Sequence, residues 1–316
     1  MKNKIIVISI IAVIIIGGVL ASITLHKGTT KTVGNAVEMV EVVHELGTTI
    51  VQKNPANVVV FDYGVLDTLD LLGVPVAGIP KETIPSYLSK YEAETYIDLG
   101  GLKEPHMERI YELKPDLIII SGRQKDFYTE LSKIAPTVYL PISNLDYMES
   151  FEKNTRILGE LFDQVETVET HLSQIKSSLQ ALQSSVWEKE YNALIILSNN
   201  GDLSAYSEKS RFGIIHKYMG FKSMGESEES STHGSTISNE YILQKNPNYI
   251  FVVDRAAVVG GDVSAQKEFS NQIIQETDAY KNNRIIFLDA EIWYISPGGL
   301  QSTPLMIQEV RDAALS

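Results

Sequence analysis

The sequence ERIYELKPDLIIISGR at residues 108–123 recurs in outline as EYILQKNPNYIFVVDR at residues 240–255. In each copy a Glu lies seven residues before a Pro, and an Arg lies eight residues after it. The Pro follows a helical pattern and opens a buried apolar run, a boundary that suits proline because it stops a helix and fixes φ at the entry to a strand. The repetition therefore predicts two similar lobes, each with a helix, a sharp boundary and a buried strand.

Short apolar runs alternate with helical stretches on both sides of these repeats, which is typical of a parallel sheet in an α/β fold. A hairpin is expected within Val37–Val51. The predicted strands are Val58–Phe61, Val74–Ile79, Leu117–Ile120, Thr137–Leu140, Tyr191–Leu197, Tyr249–Val253 and Arg284–Leu288, and the predicted helices are Leu66–Leu72, Met107–Leu113, Ile214–Met219, Asn239–Gln244 and Thr303–Ala314.

Between the two lobes the hydrophobic period changes to spacings of three, four and seven, which are helical. The pattern from Asp146 to Leu182 predicts one helix of about 55 Å, with Asp146 and Glu149 as a capping box. A coiled coil is an alternative, although the apolar stripe does not keep a strict seven-residue period. The predicted order is an N-terminal lobe at 37–145, a spine helix at 146–184 and a C-terminal lobe at 185–316.

The N-terminus predicts attachment to a membrane or export. Lys2 and Lys4 precede an uncharged apolar run, Ile5–Leu25, which at 1.5 Å per residue is about 31 Å long and spans a bilayer core. Residues 1–25 therefore read as an uncleaved anchor or a cleaved signal, with residues 26–36 as a linker and the remainder outside the cytoplasm. Residues 20–22 (LAS) resemble a bacterial lipobox, but Ile23 replaces the cysteine that would carry the lipid.

Composition excludes several classes of protein. The 316 residues are 44% hydrophobic and 21% charged, as in an ordinary globular protein. A formal net charge of −13 argues against nucleic-acid binding, which depends on clustered cations. With no cysteine, the chain has no disulfide, thiol nucleophile or Cys-ligated metal. It also lacks the motifs of zinc peptidases, serine hydrolases and phosphate-binding loops, so we expect no enzyme activity.

Three arginines are the main candidates for ligand binding. Arg123 and Arg255 each follow the carboxyl end of a strand, where open α/β sheets bind ligands. Arg211 lies at another loop-to-helix junction. Each could instead be a solvated surface residue, but guanidinium groups that converge in an acidic chain would repel one another unless an anion or internal carboxylates neutralise them. The pattern thus predicts one cleft for an anionic ligand.

Other residues have two interpretations. His233 lies in a loop of small polar residues, Trp293 and Tyr294 follow one predicted strand, and Tyr63 follows another; each could line the cleft or be structural. Phenolate oxygen and imidazole nitrogen would suit Fe(III). The repeated acids Glu108 and Glu240 could simply be helix-start residues favoured by the helix dipole.

The chain resembles the bacterial siderophore-binding proteins of iron-uptake ABC transporters, especially ferric-catecholate and petrobactin binders. The resemblance covers about residue 40 to the C-terminus, and no single segment would establish it. It is carried by VVFDYGVLDTL (59–69), KPDLIIISGRQ (114–124), IAPTVY (134–139), KSRFG (209–213), STHG (231–234), VDR (253–255) and WYISPGGL (293–300).

The resemblance implies a class III substrate-binding fold, with two Rossmann-like lobes joined by one long helix. It implies that Arg123, Arg211 and Arg255 bind an anionic ferric siderophore, and that His233 and Tyr294 complete the iron shell where the siderophore leaves positions open. It also implies that Glu108 and Glu240 contact arginines of the permease. We expect a monomer with no intrinsic cofactor. The alternatives are a binder of bare metal, haem or cobalamin, and an anchored hydrolase using His233.

Overall fold

The structure, a computed structural model, describes residues 38–225 and 234–315. These residues belong to one compact unit. Within them, no helix combines the length and the apolar character needed to cross a membrane. The predicted anchor (1–25), the predicted linker (26–36) and His233 lie outside the described residues.

The first half of the described chain forms a hairpin and a five-stranded parallel sheet with the strand order β5-β4-β3-β6-β7. The hairpin is the predicted one. Its strands are β1 (Met39–His44) and β2 (Gly47–Gln52), and the sheet consists of β3 (Val58–Val60), β4 (Gly78–Ile79), β5 (Ile97–Asp98), β6 (Leu117–Ile120) and β7 (Thr137–Tyr139). The helices are α1 (Tyr63–Leu71), α2 (Met107–Leu113) and α3 (Tyr128–Leu131), with 3-10 turns at Ser86–Glu92 and Gly122–Phe127.

The segment predicted as one spine helix forms two helices, α4 (Tyr147–Leu161) and α5 (Val165–Trp187). The expectation of an unbroken helix over 146–184 is therefore wrong. Asp163 adopts a left-handed conformation, with φ of 55°, which short polar side chains tolerate. The main-chain N–H of Asn54 donates to the Leu161 carbonyl oxygen, so the helix end finds its partner outside the helix. An ion pair between Arg156 and Glu169 joins α4 to α5 at 2.6 Å.

The second half contains a six-stranded mixed sheet with the order β11-β9-β8-β12-β13, and β10 pairs with β8. Its strands are β8 (Asn192–Asn199), β9 (Asp202–Tyr206), β10 (Lys222–Ser223), β11 (Ser235–Ile237), β12 (Tyr249–Asp254) and β13 (Ile285–Leu288). The helices are α6 (Ile214–Lys217), α7 (Asn239–Lys245), α8 (Ala256–Val259), α9 (Ala265–Glu268), α10 (Gln272–Gln275), α11 (Asp278–Lys281) and α12 (Ser302–Leu315), with a π-helical turn at Glu291–Ile295.

The class III α/β fold is confirmed, and so is the internal repeat. Helices α2 and α7 both end at a left-handed residue, Lys114 with φ of 49° and Asn246 with φ of 43°. A buried proline follows each, and every residue of the strands β6 and β12 is buried. The predicted lobe boundaries at 145 and 185 stay a prediction.

A seam joins α1 of the first lobe to the loop at 297–302 of the second; we call these residues the interlobe seam. The main-chain N–H groups of Gln301 and Ser302 both donate to the Asp67 carboxylate at 2.7 Å, and the N–H of Leu300 donates to Thr68 Oγ1 at 3.2 Å. Asp67 thus satisfies donors at the start of α12 that have no partner within the helix. These hydrogen bonds hold the loop at 297–302 and the start of α12 against α1 of the first lobe.

Gly64 lets the two lobes approach at this seam. A Cβ added at Gly64 would overlap the carbonyl oxygen of Pro297, which is main chain and cannot swing away. We expect the substitution Gly64→Ala to destabilise the protein by about 1–3 kcal/mol, as overpacking typically does. The measurement is the urea midpoint, with Gly122→Ala as the control, because a Cβ at Gly122 meets nothing within 4 Å. Equal midpoints for the two variants would contradict this account of the seam.

Candidate functional site

The site is built around the π-helical turn Glu291–Ile295, which follows β13. The turn ends at Ile295 with Ser296 as its C-cap, and Pro297, which follows, has no N–H to donate. The next two N–H groups point elsewhere: Gly298 donates to the Tyr147 hydroxyl at 2.8 Å, and Gly299 donates to Ser302 Oγ at 3.0 Å. The carbonyl oxygen of Tyr294 therefore has no partner in its own turn, as is usual at a helix end.

Two arginines satisfy that carbonyl from opposite lobes. Arg123 Nη2 donates to the Tyr294 oxygen at 2.7 Å, and Arg211 Nη2 donates to the same oxygen at 3.1 Å. The third arginine binds the side chain, since Arg255 Nε donates to Tyr294 Oη at 2.8 Å. All three guanidinium carbons also lie near the Tyr294 ring, at 5.8, 4.3 and 5.7 Å from its centroid for Arg123, Arg211 and Arg255. The three predicted arginines converge on one tyrosine, and we call them the arginine triad.

The triad changes the proton affinity of the groups inside it. Burial raises the pKa of the Tyr294 phenol. The hydrogen bond from Arg255 and the charges of all three arginines together lower this pKa by more than burial raises it, so the net shift is downward. Burial lowers the pKa of Arg211, and the charge of Arg123 lowers it again. The cations thus repel one another and favour negative charge at their centre.

Within the part of the chain that the structure describes, none of the triad forms an ion pair with a carboxylate. Asp62 is near Arg123; burial raises the pKa of its carboxyl group, and the Arg123 charge offsets part of that rise. Each guanidinium has five N–H donors. Described residues accept one hydrogen bond from Arg123 and one from Arg211. They accept two from Arg255, one at Tyr294 Oη and one at Asn199 Oδ1, the latter at 2.6 Å. Donors and charge therefore remain for an anion.

A cleft of about 600 Å³ is lined by Arg123 and Arg211 of the triad, whereas Arg255 and Tyr294 are not part of its lining. This volume is within the usual range for a small-molecule site. The cleft takes residues from both lobes and from the start of the spine. Its lining is Glu45, Asp62, Ser121, Gly122, Arg123, Lys125, Tyr139, Pro141, Ile142, Ser143, Asn144, Leu145, Tyr147, Arg211 and Pro297.

Several residues of the site were missed from the sequence. Lys125 adds a cation to the cleft two residues after Arg123, and Asn199 orients Arg255. Asn199 had a usable signal, because it ends β8, the strand next to β12, and so reaches the same sheet edge as Arg255. The cleft residues between β7 and α4 had no comparable signal, since they come from an irregular segment.

Two aromatic predictions are wrong. Tyr63 is only 1% exposed, packs in the first lobe and donates to the Pro80 carbonyl oxygen at 2.8 Å, so it is a core residue. Trp293 is also 1% exposed, its indole nitrogen donates to Glu309 at 2.7 Å, and it does not line the cleft. The strand-end position was right for both, but the first turn of the next helix points their side chains inward. His233 falls outside the described residues, so its predicted role stays a prediction.

Glu108 and Glu240 are both exposed, each the second residue of its helix. Their contact with a permease stays a prediction. Over residues 38–225 and 234–315, no group of three or more His, Asp or Glu side chains is placed to hold a metal ion. The cleft itself is lined by three cations, Arg123, Lys125 and Arg211, and by two acids, Glu45 and Asp62.

Comparison with known proteins extends this picture. The family model described as "Periplasmic binding protein" matches residues 58–292. The petrobactin-binding protein YclQ of Bacillus subtilis is 44% identical in sequence, and the match covers 87% of this chain and 88% of YclQ. The crystal structure of YclQ superposes with a TM-score of 0.86, and the superposition covers 88% of this chain and 99% of the YclQ chain. The ferric-anguibactin-binding protein FatB of Vibrio anguillarum is 34% identical over 84% of this chain and 85% of its own. The periplasmic catecholate-siderophore binding protein VctP of Vibrio cholerae is 35% identical, with a TM-score of 0.83 over 87% of this chain and all of that one.

Proposed function

The chain belongs to the periplasmic binding protein family, and on that premise we propose that it captures an anionic ferric siderophore and delivers it to an ABC permease for iron uptake. The proposed ligand is a catecholate or a mixed citrate–catecholate of the petrobactin type. Relatives named for petrobactin, anguibactin and catecholate siderophores support this class. Iron arrives as part of the ligand, and no intrinsic cofactor is proposed.

The observation that carries the proposal is the convergence of Arg123, Arg211 and Arg255 on Tyr294 without a carboxylate partner among the described residues. Partly buried like charges favour an anion. Guanidinium groups also present a planar fork of donors that suits catecholate and carboxylate oxygens. The cleft volume of about 600 Å³ is within the usual range for small-molecule sites.

The remaining parts of the proposal concern location and partners. We propose binding without catalytic turnover by a monomer on the outer face of the cell membrane. The apolar run Ile5–Leu25 would tether it or direct its export. Glu108 and Glu240, one on each lobe, would contact the permease.

Calorimetric titration tests the function and separates it from its alternatives. We expect tight one-to-one binding of ferric citrate–catecholate or ferric catecholate complexes, and much weaker binding of a neutral ferric hydroxamate, because the triad supplies charge. Bare Fe(III), haem and cobalamin serve as competing ligands. Tighter binding of any of these three, or catalytic turnover without stoichiometric binding, would replace the proposal with the corresponding alternative.

Tyr294 gives a spectroscopic prediction. Because its phenol pKa is lowered, it is prepared to supply a phenolate to iron. With a tetradentate ferric bis-catecholate, which leaves two iron positions open, we expect a new tyrosinate-to-iron absorption band that Tyr294→Phe abolishes. A hexadentate siderophore should give no such band with either protein. A band that persists in the Tyr294→Phe variant would mean that another residue binds the iron.

A further inference from the structure

The internal repeat extends to the surface of the two helices that precede β6 and β12. Ile110 and Ile242 occupy the same place in the repeat, and both are fully buried. One position further along the chain, Tyr111 is 68% exposed and Leu243 is 37% exposed. These two lie three residues after Glu108 and Glu240, and residues three apart on a helix are neighbours on its surface. Each lobe thus presents an exposed acid beside an exposed apolar side chain, and we call Glu108/Tyr111 and Glu240/Leu243 the acid–apolar pairs.

The first pair lies at the carboxyl edge of its sheet. Strand β5 ends at Asp98, and the N–H of His106, the residue before α2, donates to the carbonyl oxygen of Leu99 at 2.9 Å. Helix α2 therefore begins beside the carboxyl end of β5. Because the strands of this sheet are parallel, Arg123 follows β6 at that same edge.

The second pair also lies at the carboxyl edge of its sheet, where it follows β11 and not a strand of a purely parallel sheet. Strand β11 is antiparallel to β9, which is antiparallel to β8, so β11 runs in the direction of β8 and β12. Ile237 pairs with Leu203, Leu203 with Ser198, and Ser198 with Asp254, the residue before Arg255. Helix α7 starts two residues after Ile237, at the edge that carries Arg255. Each acid–apolar pair is thus at the same sheet edge as its lobe's arginine.

Both acids are available to a partner. Neither Glu108 nor Glu240 has an ion pair among the described residues. The pKa of Glu240 is lowered, first by a hydrogen bond from Ser238, so it is ionised at neutral pH. Burying an exposed tyrosine or leucine against a partner removes apolar surface from water and so stabilises the complex. Tyrosine is also among the residues enriched at binding hot spots.

We propose that Tyr111 and Leu243 are apolar anchors for the permease, each inserting beside its acid into one of two similar recesses. The partner chemistry that fits is a pair of like surfaces, each with a cation next to an apolar pocket, because the repeat presents the same acid–apolar pair twice. This inference rests on the proposed delivery to an ABC permease. It adds two contact residues that the acids alone do not predict.

The test compares surface variants on one assay. The full chain, loaded with ferric petrobactin, is titrated against a petrobactin-importing ABC permease in nanodiscs. We expect Tyr111→Ser and Leu243→Ser each to weaken permease binding about tenfold, the double variant to weaken it further, and siderophore affinity to stay unchanged. The matched control is Trp187→Ser with Leu305→Ser, which removes side chains that are 66% and 42% exposed on other helices and should leave both affinities unchanged.

The outcomes separate the two proposals. Unchanged permease affinity in the Tyr111→Ser, Leu243→Ser double variant would overturn the apolar anchors, while a loss in a Glu108→Gln, Glu240→Gln variant would still support delivery. Reduced siderophore affinity in the double variant would also overturn the anchors, because the surface would then belong to the ligand site. A wild-type chain that binds the siderophore but not the permease would overturn the anchors together with delivery.

Discussion

Replacing Arg123, Arg211 and Arg255 together by Gln should weaken binding of an anionic ferric siderophore by about a thousandfold or more. A hydrogen bond to a charged group contributes roughly 1.5–3 kcal/mol, and three of them correspond to at least about 4 kcal/mol. Gln keeps a donor and much of the side-chain length, so the variant removes charge while preserving shape. Calorimetry with ferric petrobactin measures the change.

The control for this variant matches its change in net charge. Arg109 and Arg156 are ion-paired to surface carboxylates, and Arg311 lies on α12. Replacing these three by Gln lowers the net charge equally but should leave siderophore affinity nearly unchanged, because long-range attraction between exposed charges is screened by salt. An equal loss in both triple variants would show that overall charge, and not the triad, governs binding.

A second readout distinguishes the triad from ordinary structural arginines. The triad places like charges together, and Arg123 and Arg211 share one acceptor. Without ligand, its replacement by Gln should therefore leave the free energy of unfolding unchanged or raise it. A large loss of stability in the ligand-free triple variant would mean that the arginines mainly hold the Tyr294 carbonyl.

The sequence predicted the repeated helix, proline and strand units because each depends on local chemistry. Proline boundaries and fully apolar strands give strong signals, and α2, β6 and β12 lie within a residue of their predicted bounds. The strand ends also predicted that Arg123 and Arg255 would converge, and both donate to Tyr294, since a parallel sheet brings all carboxyl ends to one edge.

The break in the spine could not be predicted from periodicity. The apolar spacing continues across residues 162–164, but Val165, which keeps that spacing, is 53% exposed. At the break, the main-chain N–H of Asn54, a residue distant in sequence, donates to the Leu161 carbonyl oxygen. Tertiary contacts of this kind leave no mark on the local pattern. The inward turn of Tyr63 and Trp293 escaped prediction for the same reason, because their partners Pro80 and Glu309 are remote in sequence or on another element.

Asp67 should make the free energy of unfolding depend on pH. Its carboxylate is fully buried, and burial raises its pKa. The N–H groups of Gln301 and Ser302 and the hydroxyl of Tyr87 lower the pKa by less, so that the net value is about 6. In the unfolded chain an Asp titrates near about 3.9. Folding therefore favours the protonated form. Its stabilising contribution is complete below about pH 4 and is lost as the pH rises through about 6, a change of up to about 3 kcal/mol.

The substitution Asp67→Asn isolates this effect. The amide keeps one acceptor for the seam but cannot titrate, so the variant lacks this pH dependence. We expect the unfolding free energy of the wild-type protein, relative to the variant, to fall by up to about 3 kcal/mol between pH 4 and 7. Urea titrations at several pH values measure the difference. Other partly buried carboxyl groups, such as Glu309, cancel in this difference because both proteins contain them.

Thr68→Val is the matched control, because it removes the acceptor for Leu300 at the same seam without changing a titratable group. Its destabilisation should be the same at every pH. If the Asp67→Asn difference is also constant from pH 4 to 7, then Asp67 keeps an ordinary pKa in the folded protein. The N–H donors at the start of α12 would then outweigh burial, and the seam would be held equally well across this range.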